Sequence, residues 1–424
     1  MTQSEQHESA VRSYCRSFPV VFQRAKGSFM YTESGEKYLD FFNGAGALNY
    51  GHNNDFLKEK ILAYLNSDGI IHALDLYTDA KEEFLKAFHT HVLSKLGADY
   101  KVQFCGPTGT NANEAALKLA RKCKQRNNVF AFTGSFHGMT LGSLSVTSGT
   151  DIRRGAGVPL SNVTFMPFPS GFNKSFDTIA YMENVLTDDH SGVEKPAAVI
   201  FETVQAEGGV NVAQIEWLQR LEKLCRAHDI LTVCDEIQVG CGRTGTFFSF
   251  QRAGILPDMI SVSKSVSGYG FPMSLLLVKE QYDIWKPGEH NGTFRGNQLA
   301  FVAAKAALEY REQNHLEQQV ARSEQFIRAY LEEQILPLHP LLQARGIGMI
   351  WGIDFAGIDS SGSLTKRVAD ACFARRLVIE RAGRKDTVLK LMPALTTMRE
   401  ELQQGLDIIR DAVRDVLCDA DRAQ

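Results

Sequence analysis

The order of apolar and polar residues predicts an α/β protein, in which a mostly parallel sheet is covered by helices and a smaller α+β domain packs beside it. Between about 98 and 280, short apolar runs typical of buried strands alternate with segments of helical spacing. After about 310 the pattern changes to long amphipathic segments with few strands. With 424 residues, 44% of them hydrophobic, the chain is long enough for at least two folding units.

The first part of the chain is predicted to be rich in β structure. The stretch 27–52, GSFMYTESGEKYLDFFNGAGALNYGH, alternates apolar and polar residues around Ser34–Gly35, which predicts a hairpin. We expect three parts in all: an N-terminal segment, 1–55, that joins the small domain, a large domain, 56–310, and a C-terminal small domain, 311–424.

The central region carries the alternating pattern on which the fold class depends. Strands are expected at Ala198–Phe201, Leu231–Cys234, Met259–Val262 and Ser274–Val278, and helices at Asn113–Lys124 and Gln214–His228. A sheet built in this order forms its ligand sites beyond the carboxyl ends of its strands.

The C-terminal third is expected to be mainly helical. A long helix is predicted at Leu316–Glu333, short strands around Gly348–Phe355 and Val388–Met392, and a last amphipathic helix that carries Leu402, Leu406, Ile409, Val413 and Val416. This pattern indicates a second core, separate from that of the sheet.

Composition narrows the possible functions. A net charge of −3 and a pI near 6.4 give no electrostatic reason to expect a nucleic-acid or anionic-membrane partner. The N-terminus is polar without an apolar signal core, and no stretch reaches the roughly 18 apolar residues of a membrane span. The eight cysteines are scattered without a CxxC pair, so we expect a reducing cytoplasm and no metal site.

An acid and an amine stand at the ends of two predicted strands. Asp235 follows Leu231–Cys234 and Lys264 follows Met259–Val262, which places both on the edge where ligands bind. A buried carboxylate and a lysine that can form a Schiff base are what pyridoxal 5′-phosphate (PLP) requires. A structural salt bridge between the two is the alternative interpretation.

Three further segments are compatible with the same cofactor. The glycine-rich turn CGPTGTNANEAALKLARK, 105–122, leads into a helix whose N-terminus suits a phosphate, and it lacks the GK[ST] of a nucleotide-binding loop. GSFHGMT offers Phe136 to lie on a heteroaromatic ring with His137 beside it, and NGTFRGN offers Thr293 to a phosphate. A capped helix start, ordinary packing and an ordinary turn are the respective alternatives.

Taken together and in this order, these segments resemble the class-III aminotransferases of PLP fold type I. The resemblance runs over nearly the whole chain, through ETVQAEGG, CDEIQVGCGRTG and SVSKSVSGYGFPM to KLMPALT. It implies that Gly109 and Thr110 bind the cofactor phosphate. It also implies that Phe136 stacks on the ring with His137 beside it, and that Asp235 holds the pyridine nitrogen.

The same resemblance implies the remaining cofactor contacts and a shared site. Gln238 would hydrogen-bond the phenolic oxygen, and Lys264 would be the Schiff-base lysine that also moves a proton. Thr293 would reach the phosphate of the neighbouring subunit, which implies a homodimer or a dimer of dimers.

Within the family, VRSYCRSFPVVF, LNYGHNN, FHGMTLGSLSVT and IWKPGEHNGTFRGN resemble the enzymes that transfer the terminal amine of diaminobutyrate to 2-oxoglutarate in ectoine and siderophore synthesis. Lys390 stands where many members have an arginine that clamps the keto-acid carboxylate, with Arg384 and Arg381 as substitutes. Glu207, in QAEGG, would neutralise or position the group at 390, or be a structural turn acid.

Three functions remain open at this stage. The first is the transaminase, with diaminobutyrate or another ω-amine such as ornithine or GABA as donor. The second keeps the cofactor but changes the reaction to that of an aminomutase, racemase or decarboxylase, since these share the core residues. The third is a ligand-binding or regulatory protein that has kept the fold.

Overall fold

A computed structural model describes residues 2–170 and 173–422 of the protein. The strands are β1 (Phe22–Lys26), β2 (Phe29–Thr32), β3 (Lys37–Asp40), β4 (Tyr100–Phe104), β5 (Val129–Phe132), β6 (Val163–Met166), β7 (Ala198–Phe201), β8 (Val204–Gln205), β9 (Asn211–Val212), β10 (Leu231–Asp235), β11 (Met259–Val262), β12 (Leu275–Lys279), β13 (Gln343–Ile347), β14 (Ile350–Asp354), β15 (Leu377–Val378), β16 (Glu380–Ala382) and β17 (Val388–Leu391).

The helices are α1 (Gln3–His7), α2 (Tyr14–Ser17), α3 (Asn43–Gly46), α4 (Asp55–Asn66), α5 (Asp79–His91), α6 (Gly109–Lys124), α7 (Leu141–Val146), α8 (Thr150–Arg154), α9 (Thr178–Thr187), α10 (Ile215–Ala227), α11 (Gln298–Gln313), α12 (Leu316–Tyr330), α13 (Ser363–Ala374) and α14 (Arg399–Arg422). Short 3₁₀ turns include Lys264–Ser267 and Arg384–Asp386.

A seven-stranded sheet forms the centre of the larger part, in the order β4-β12-β11-β10-β7-β5-β6. The pairs from β11 to β6 are parallel, and β12 runs antiparallel to both of its neighbours. Every residue of β7, β10 and β11 is buried. Strands covered on both faces have continuous apolar sequences, which is why these runs could be recognised. The predicted mostly parallel sheet is confirmed.

Helix α6 begins four residues before the predicted start at Asn113. Thr108 is extended and caps the helix, and its backbone N–H donates to Asn111 Oδ1 at 3.2 Å. The glycine-rich segment is therefore part of the helix from Gly109 onward. This extension moves the helix N-terminus toward the carboxyl ends of the strands.

The N-terminal hairpin joins the C-terminal part of the chain. Strands β2 and β3 pair antiparallel, as predicted, and β3 continues by parallel pairing with β15, where Leu377 lies opposite Leu39. Phe29, Leu39 and Phe41 pack in one apolar cluster with side chains of β14, β17 and α14. The division at residues 55 and 310 stays a prediction, and this pairing supports its first part.

The last third has the predicted helices, with one change at a helix end. The predicted apolar face of α14 is confirmed, since its five named side chains are all buried. The helix that begins at Leu316 is regular as far as Tyr330 and then continues as a π-helical turn, Leu331–Ile335. In the described part of the chain, no helix combines the length and apolar character needed to cross a membrane.

The short element α3 departs from right-handed helical geometry. Four consecutive residues, Asn43–Gly46, have φ between 54° and 87°, in the left-handed region that non-glycine residues rarely adopt. Such strained segments cluster at functional sites. This turn brings the Ala45 carbonyl to the side chains of Gln238 and Lys264.

Candidate active site

The carboxyl ends of three neighbouring parallel strands form one wall of a cavity of about 280 Å³. Glu202 follows β7, Asp235 ends β10 and Lys264 lies two residues beyond β11. The register pairs Cys234 with Phe201, so Glu202 and Asp235 are lateral neighbours. The structure thus brings Asp235 and Lys264 to one edge of the sheet.

Asp235 is fixed by three donors. Its Oδ2 accepts from Asn113 Nδ2 at 2.8 Å and from His137 Nδ1 at 2.7 Å, and its Oδ1 accepts from the backbone N–H of Ile237 at 3.0 Å. Since a carboxylate only accepts, Nδ1 of His137 carries the proton. We name Asp235, His137 and Asn113 the Asp235 cluster. All three side chains are buried, which fixes the direction of the carboxylate.

Lys264 begins a 3₁₀ turn with a positive φ of 50°. Its Nζ donates to the Ala45 carbonyl at 2.8 Å. Within residues 2–170 and 173–422, no ion pair joins Lys264 to Asp235, so the structural salt bridge considered from sequence is not what the structure shows. Burial lowers the pKa of Lys264 and so favours the neutral amine, the form that acts as nucleophile and base.

The N-terminus of α6 also lines the cavity. The first amides of a helix have no intrahelical acceptor, and here those of Gly109 and Thr110 lie at the cavity. A Cβ on Gly109 would lie 2.7 Å from the Ile237 side chain, and one on Gly138 would collide with the Thr110 hydroxyl. The Thr110 hydroxyl is 2.6 Å from that of Thr140. This part of the cavity, around Gly109, Thr110 and Gly138, therefore has no room for a larger residue at either glycine.

Phe136 and His137 line the same cavity from the loop after β5. Phe136 is 38% exposed, and its backbone N–H donates to Glu202 Oε2 at 3.3 Å. Burial and the nearby charge of Asp235 raise the pKa of Glu202 well above its ordinary value. Burial at this wall therefore favours the neutral form of Glu202.

A second group of charges lies beside the cavity, formed by the buried Lys390 and Glu380 and the partly exposed Glu207, and we name it the Lys390 cluster. Lys390 Nζ lies 2.7 Å from Glu207 Oε1 and 3.0 Å from Glu380 Oε1. Gln238 Nε2 donates to Glu207 Oε1 at 3.0 Å and to the Ala45 carbonyl at 2.9 Å. Glu207 thus contacts the group at 390 directly, and it also lines the cavity.

The electrostatics of the Lys390 cluster follow from its geometry. Burial disfavours the charge on Lys390, but the two carboxylates outweigh burial and raise its pKa. Burial likewise disfavours the charge on Glu207, yet Lys390 and Lys264 lower its pKa to about 2. Both members of this pair therefore stay charged at neutral pH.

Three candidates from the sequence do not line this cavity. Thr293 lies in the loop before α11, where its carbonyl is 3.2 Å from Nε2 of His72. Arg384 lies in a 3₁₀ turn away from the cavity lining, and Arg381 pairs with Asp386 at 3.4 Å. Lys390, one of the proposed carboxylate clamps, contacts Glu207, which lines the cavity.

Sequence reasoning missed four residues that shape the site. Asn113 is a polar residue on the apolar face of α6, and Glu202 follows an apolar strand as Asp235 does, so both had a signal that could have found them. Thr140 and Glu380 had none, because only packing brings them to Thr110 and Lys390.

Comparison with known proteins decides the family. The family model described as aminotransferase class-III matches residues 11–413. The chain belongs to the class-III aminotransferases. Curated relatives include the diaminobutyrate–2-oxoglutarate transaminase of Bordetella parapertussis, which is 53% identical over 413 residues, 97% of this chain and 94% of that protein. The protein of the same name from Vibrio cholerae is 51% identical over 407 residues, 95% of this chain and 97% of its own length.

Solved structures agree on the fold of this class-III aminotransferase. An S-selective transaminase from Arthrobacter sp. with alanine bound superposes with a TM-score of 0.88 at 23% identity, over 99% of this chain and 98% of that one. The ornithine aminotransferase from Toxoplasma gondii gives a TM-score of 0.85 at 24% identity, over 99% and 94%. The predicted fold type I is therefore confirmed.

The residues of this class-III aminotransferase fit PLP, the cofactor that the family uses. The α6 N-terminus offers amides and a hydroxyl to a phosphate, and Gly109 and Gly138 keep that part of the cavity open. The Asp235 cluster presents an oriented carboxylate in a buried setting, and Lys264 offers an amine whose pKa is lowered. Such a cofactor requires hydrogen-bond donors for its phosphate, an acid for its ring nitrogen and an amine for its aldehyde, and the cavity offers all three.

Proposed function

We propose that the protein is an ω-aminotransferase that moves the terminal amino group of L-2,4-diaminobutyrate to 2-oxoglutarate. The products are L-aspartate 4-semialdehyde and L-glutamate, and the reaction is reversible. The observation that carries this proposal is the 49–53% identity, over nearly the full length, to curated relatives that bear that name.

We assign roles to the residues of the cavity on the basis of their contacts. When bound, PLP supplies a reactive aldehyde and a ring that withdraws electrons from the substrate carbon. Lys264 takes and returns a proton at the terminal carbon of the substrate, and burial, which lowers its pKa, favours the neutral amine that can act as a base. Asp235 holds a proton on the ring nitrogen, and the donors from His137 and Asn113 keep its carboxylate aimed.

The remaining contacts orient the cofactor and the substrates. Gly109, Thr110, Phe136 and Gln238 all line the cavity. Gly109 and Thr110 would hold the phosphate, Phe136 would lie on the ring and Gln238 would reach the phenolic oxygen. Lys390, which is paired with Glu207 in the free protein, attracts the keto-acid carboxylate when Glu207 moves away from it.

The test is the identity of the product. Wild-type protein loaded with PLP should convert diaminobutyrate and 2-oxoglutarate to glutamate and the 4-semialdehyde in equal amounts, the latter detected by aldehyde trapping. Ornithine and GABA serve as comparison donors. Formation of a 2-oxo acid from diaminobutyrate would contradict the ω-specific assignment. Turnover without a keto acid would indicate a racemase, aminomutase or decarboxylase instead.

We propose that the active protein is at least a homodimer with shared sites. Several apolar side chains between residues 70 and 77 are exposed in the single chain, including Ile70, Ile71, Leu76 and Tyr77. His72 packs against Phe294, at 5.1 Å between ring centroids, next to Thr293. An exposed apolar region of this kind marks a protein interface, and it would carry Thr293 toward the phosphate of the partner.

Subunit complementation tests the shared site. A Lys264→Ala chain co-expressed with a Thr293→Val chain forms one site with both changes and one site with neither. Each mixed dimer should then retain cofactor and turn over substrate at about half the wild-type level. Both values should exceed those of either variant alone. Mixtures no better than the parents would place Thr293 outside the shared site.

We further propose a cytoplasmic location and a role in ectoine or siderophore synthesis. All eight cysteines are free, which suits a reducing compartment. The two routes share the proposed step, and neighbouring genes would distinguish them.

A further inference from the structure

Two carboxylates face one buried ammonium in the Lys390 cluster. Glu380 lies on β16 and Lys390 opposite it on β17, and Glu207 approaches from the loop between β8 and β9. With all three groups ionised, the cluster carries a net charge of −1. A single carboxylate would be enough to mask the lysine, so the second one requires an explanation.

The two acids differ in their freedom to move. The Glu207 side chain is 29% exposed at the cavity, whereas those of Glu380 and Lys390 are 7% and 0% exposed. Glu207 can therefore turn away when a substrate arrives. Glu380 belongs to a strand paired with the strand of Lys390, and its carboxylate stays beside the ammonium.

This difference affects the second substrate, if the proposed function is correct. The proposed acceptor, 2-oxoglutarate, carries two carboxylates, one of which would bind at Lys390. After Glu207 has turned away, an ionised Glu380 still neutralises Lys390 and leaves no net attraction for the incoming carboxylate. A protonated Glu380 leaves the full charge of Lys390 available to the substrate.

The surroundings of Glu380 favour its protonation. The charged groups that face it are Lys390 from β17, Glu207 from the β8–β9 loop and Lys264 from the turn after β11, and the titratable hydroxyl of Tyr14 approaches from α2. Burial raises the pKa of Glu380 to about 7, because the attraction of Lys390 is partly offset by Glu207. Of the two acids, Glu380 is thus the one that takes up a proton near neutral pH.

We propose that Glu380 couples keto-acid binding to protonation: 2-oxoglutarate binds at Lys390 together with one proton from solvent, which is taken up by the Glu380 carboxylate. The amino donor binds without this proton. Glu380 does not touch the substrate and acts through Lys390 as a positioning residue. At high pH the acceptor half of the reaction is therefore weakened selectively.

Calorimetry on the wild-type holoenzyme tests this without turnover. Glutarate, an unreactive dicarboxylate with the chain length of 2-oxoglutarate, is titrated in two buffers of different ionisation enthalpy. We expect uptake of about one proton per glutarate at about pH 8, falling toward zero at about pH 6, where Glu380 is already protonated. Glutarate binding at about pH 8 without proton uptake would overturn the proposal.

The Glu380→Gln variant tests the assignment to this residue. It should bind glutarate at about pH 8 without proton uptake and about tenfold more tightly than wild type, since one pH unit separates that pH from the pKa of Glu380. The wild-type to variant ratio of KM for 2-oxoglutarate should rise with pH, while the same ratio for the donor stays constant. An unchanged proton uptake in the variant would exclude Glu380.

A matched control and a separate assay keep the outcomes distinct. Glu324→Gln removes a half-buried carboxylate that pairs with Arg328 at 3.0 Å, away from the cavity. The wild-type to variant ratios of KM for 2-oxoglutarate and for the donor should then not change with pH. If Glu380→Gln does not fold, the wild-type calorimetry still shows whether glutarate binds together with a proton. Failure of the proposed function appears in the product assay, whereas failure of this inference appears in proton uptake.

Discussion

The two charged clusters beside the cavity are built in different ways. In the Asp235 cluster, one carboxylate is held by an amide, an imidazole and a backbone N–H, all anchored on the central sheet and its adjoining helix and loop. In the Lys390 cluster, the groups are held by ion pairs between a loop and two strands of another sheet. The first arrangement stabilises one charge state. The second has an excess carboxylate and can change its charge when a ligand binds.

Lys264 lies between the two clusters, and its removal should have the largest effect. Lys264→Ala should lower turnover by at least about 10⁴-fold, because it removes both the nucleophile and the proton carrier. Borohydride reduction followed by peptide mapping should place the pyridoxyl group on Lys264 in wild type. Lys366→Ala, an exposed lysine paired with Asp370, is the control. A label on another lysine would refute this role.

The fixed charge of the Asp235 cluster should come next. Asp235→Asn keeps the size and some hydrogen bonds but removes the charge opposite the ring nitrogen, so kcat should fall by roughly 10²- to 10³-fold. Absorbance of the bound cofactor and kcat are the measurements. Turnover close to wild type with tight cofactor retention would show that the residue is only structural.

The Lys390 cluster should respond in substrate affinity rather than in chemistry. Lys390→Ala should raise KM for 2-oxoglutarate about tenfold to a hundredfold, and that for diaminobutyrate much less, because one charge-assisted contact of about 1.5 to 3 kcal/mol is lost. It should also lower the free energy of unfolding by about 3 kcal/mol, since the buried Glu380 and the partly exposed Glu207 lose their partner.

A second variant separates these two effects of Lys390→Ala. The double variant Lys390→Ala/Glu380→Gln should regain part of the stability, because one unpaired charge is removed, while KM for 2-oxoglutarate stays high. Equal changes in KM for both substrates would move the clamp to another residue, with Arg384 the next to test.

The smallest effect is expected at Asn113, which supports Asp235 without contacting the cavity. Asn113→Ala removes the donor to Asp235 Oδ2 and to the His137 carbonyl, a loss of about 1 to 3 kcal/mol. We expect cofactor affinity to fall about tenfold, measured by fluorescence titration, with a smaller change in kcat. An effect on KM for 2-oxoglutarate alone would contradict the separation of the two clusters.

Sequence by itself determined the parts of this protein that depend on local pattern. The buried strands β7 and β11 have the predicted bounds, because a strand covered on both faces must be apolar throughout. The positions of Asp235 and Lys264 follow from the same logic, since polar residues after such strands meet at one edge of the sheet. The family resemblance was carried by these same motifs and is confirmed by the match over residues 11–413.

The family resemblance indicated that Glu207 meets the group at 390, but only the tertiary structure showed that Glu380 joins this pair. Glu380 and Lys390 are brought together by the register of two strands, and Glu207 reaches Lys390 across 183 positions of sequence. Local propensity contains no information about such distant pairs. The carbonyl that receives Lys264 is likewise presented by a left-handed turn 219 positions away. Strand ends could be predicted because periodicity reports burial, whereas the partners of buried charges depend on how separate segments pack.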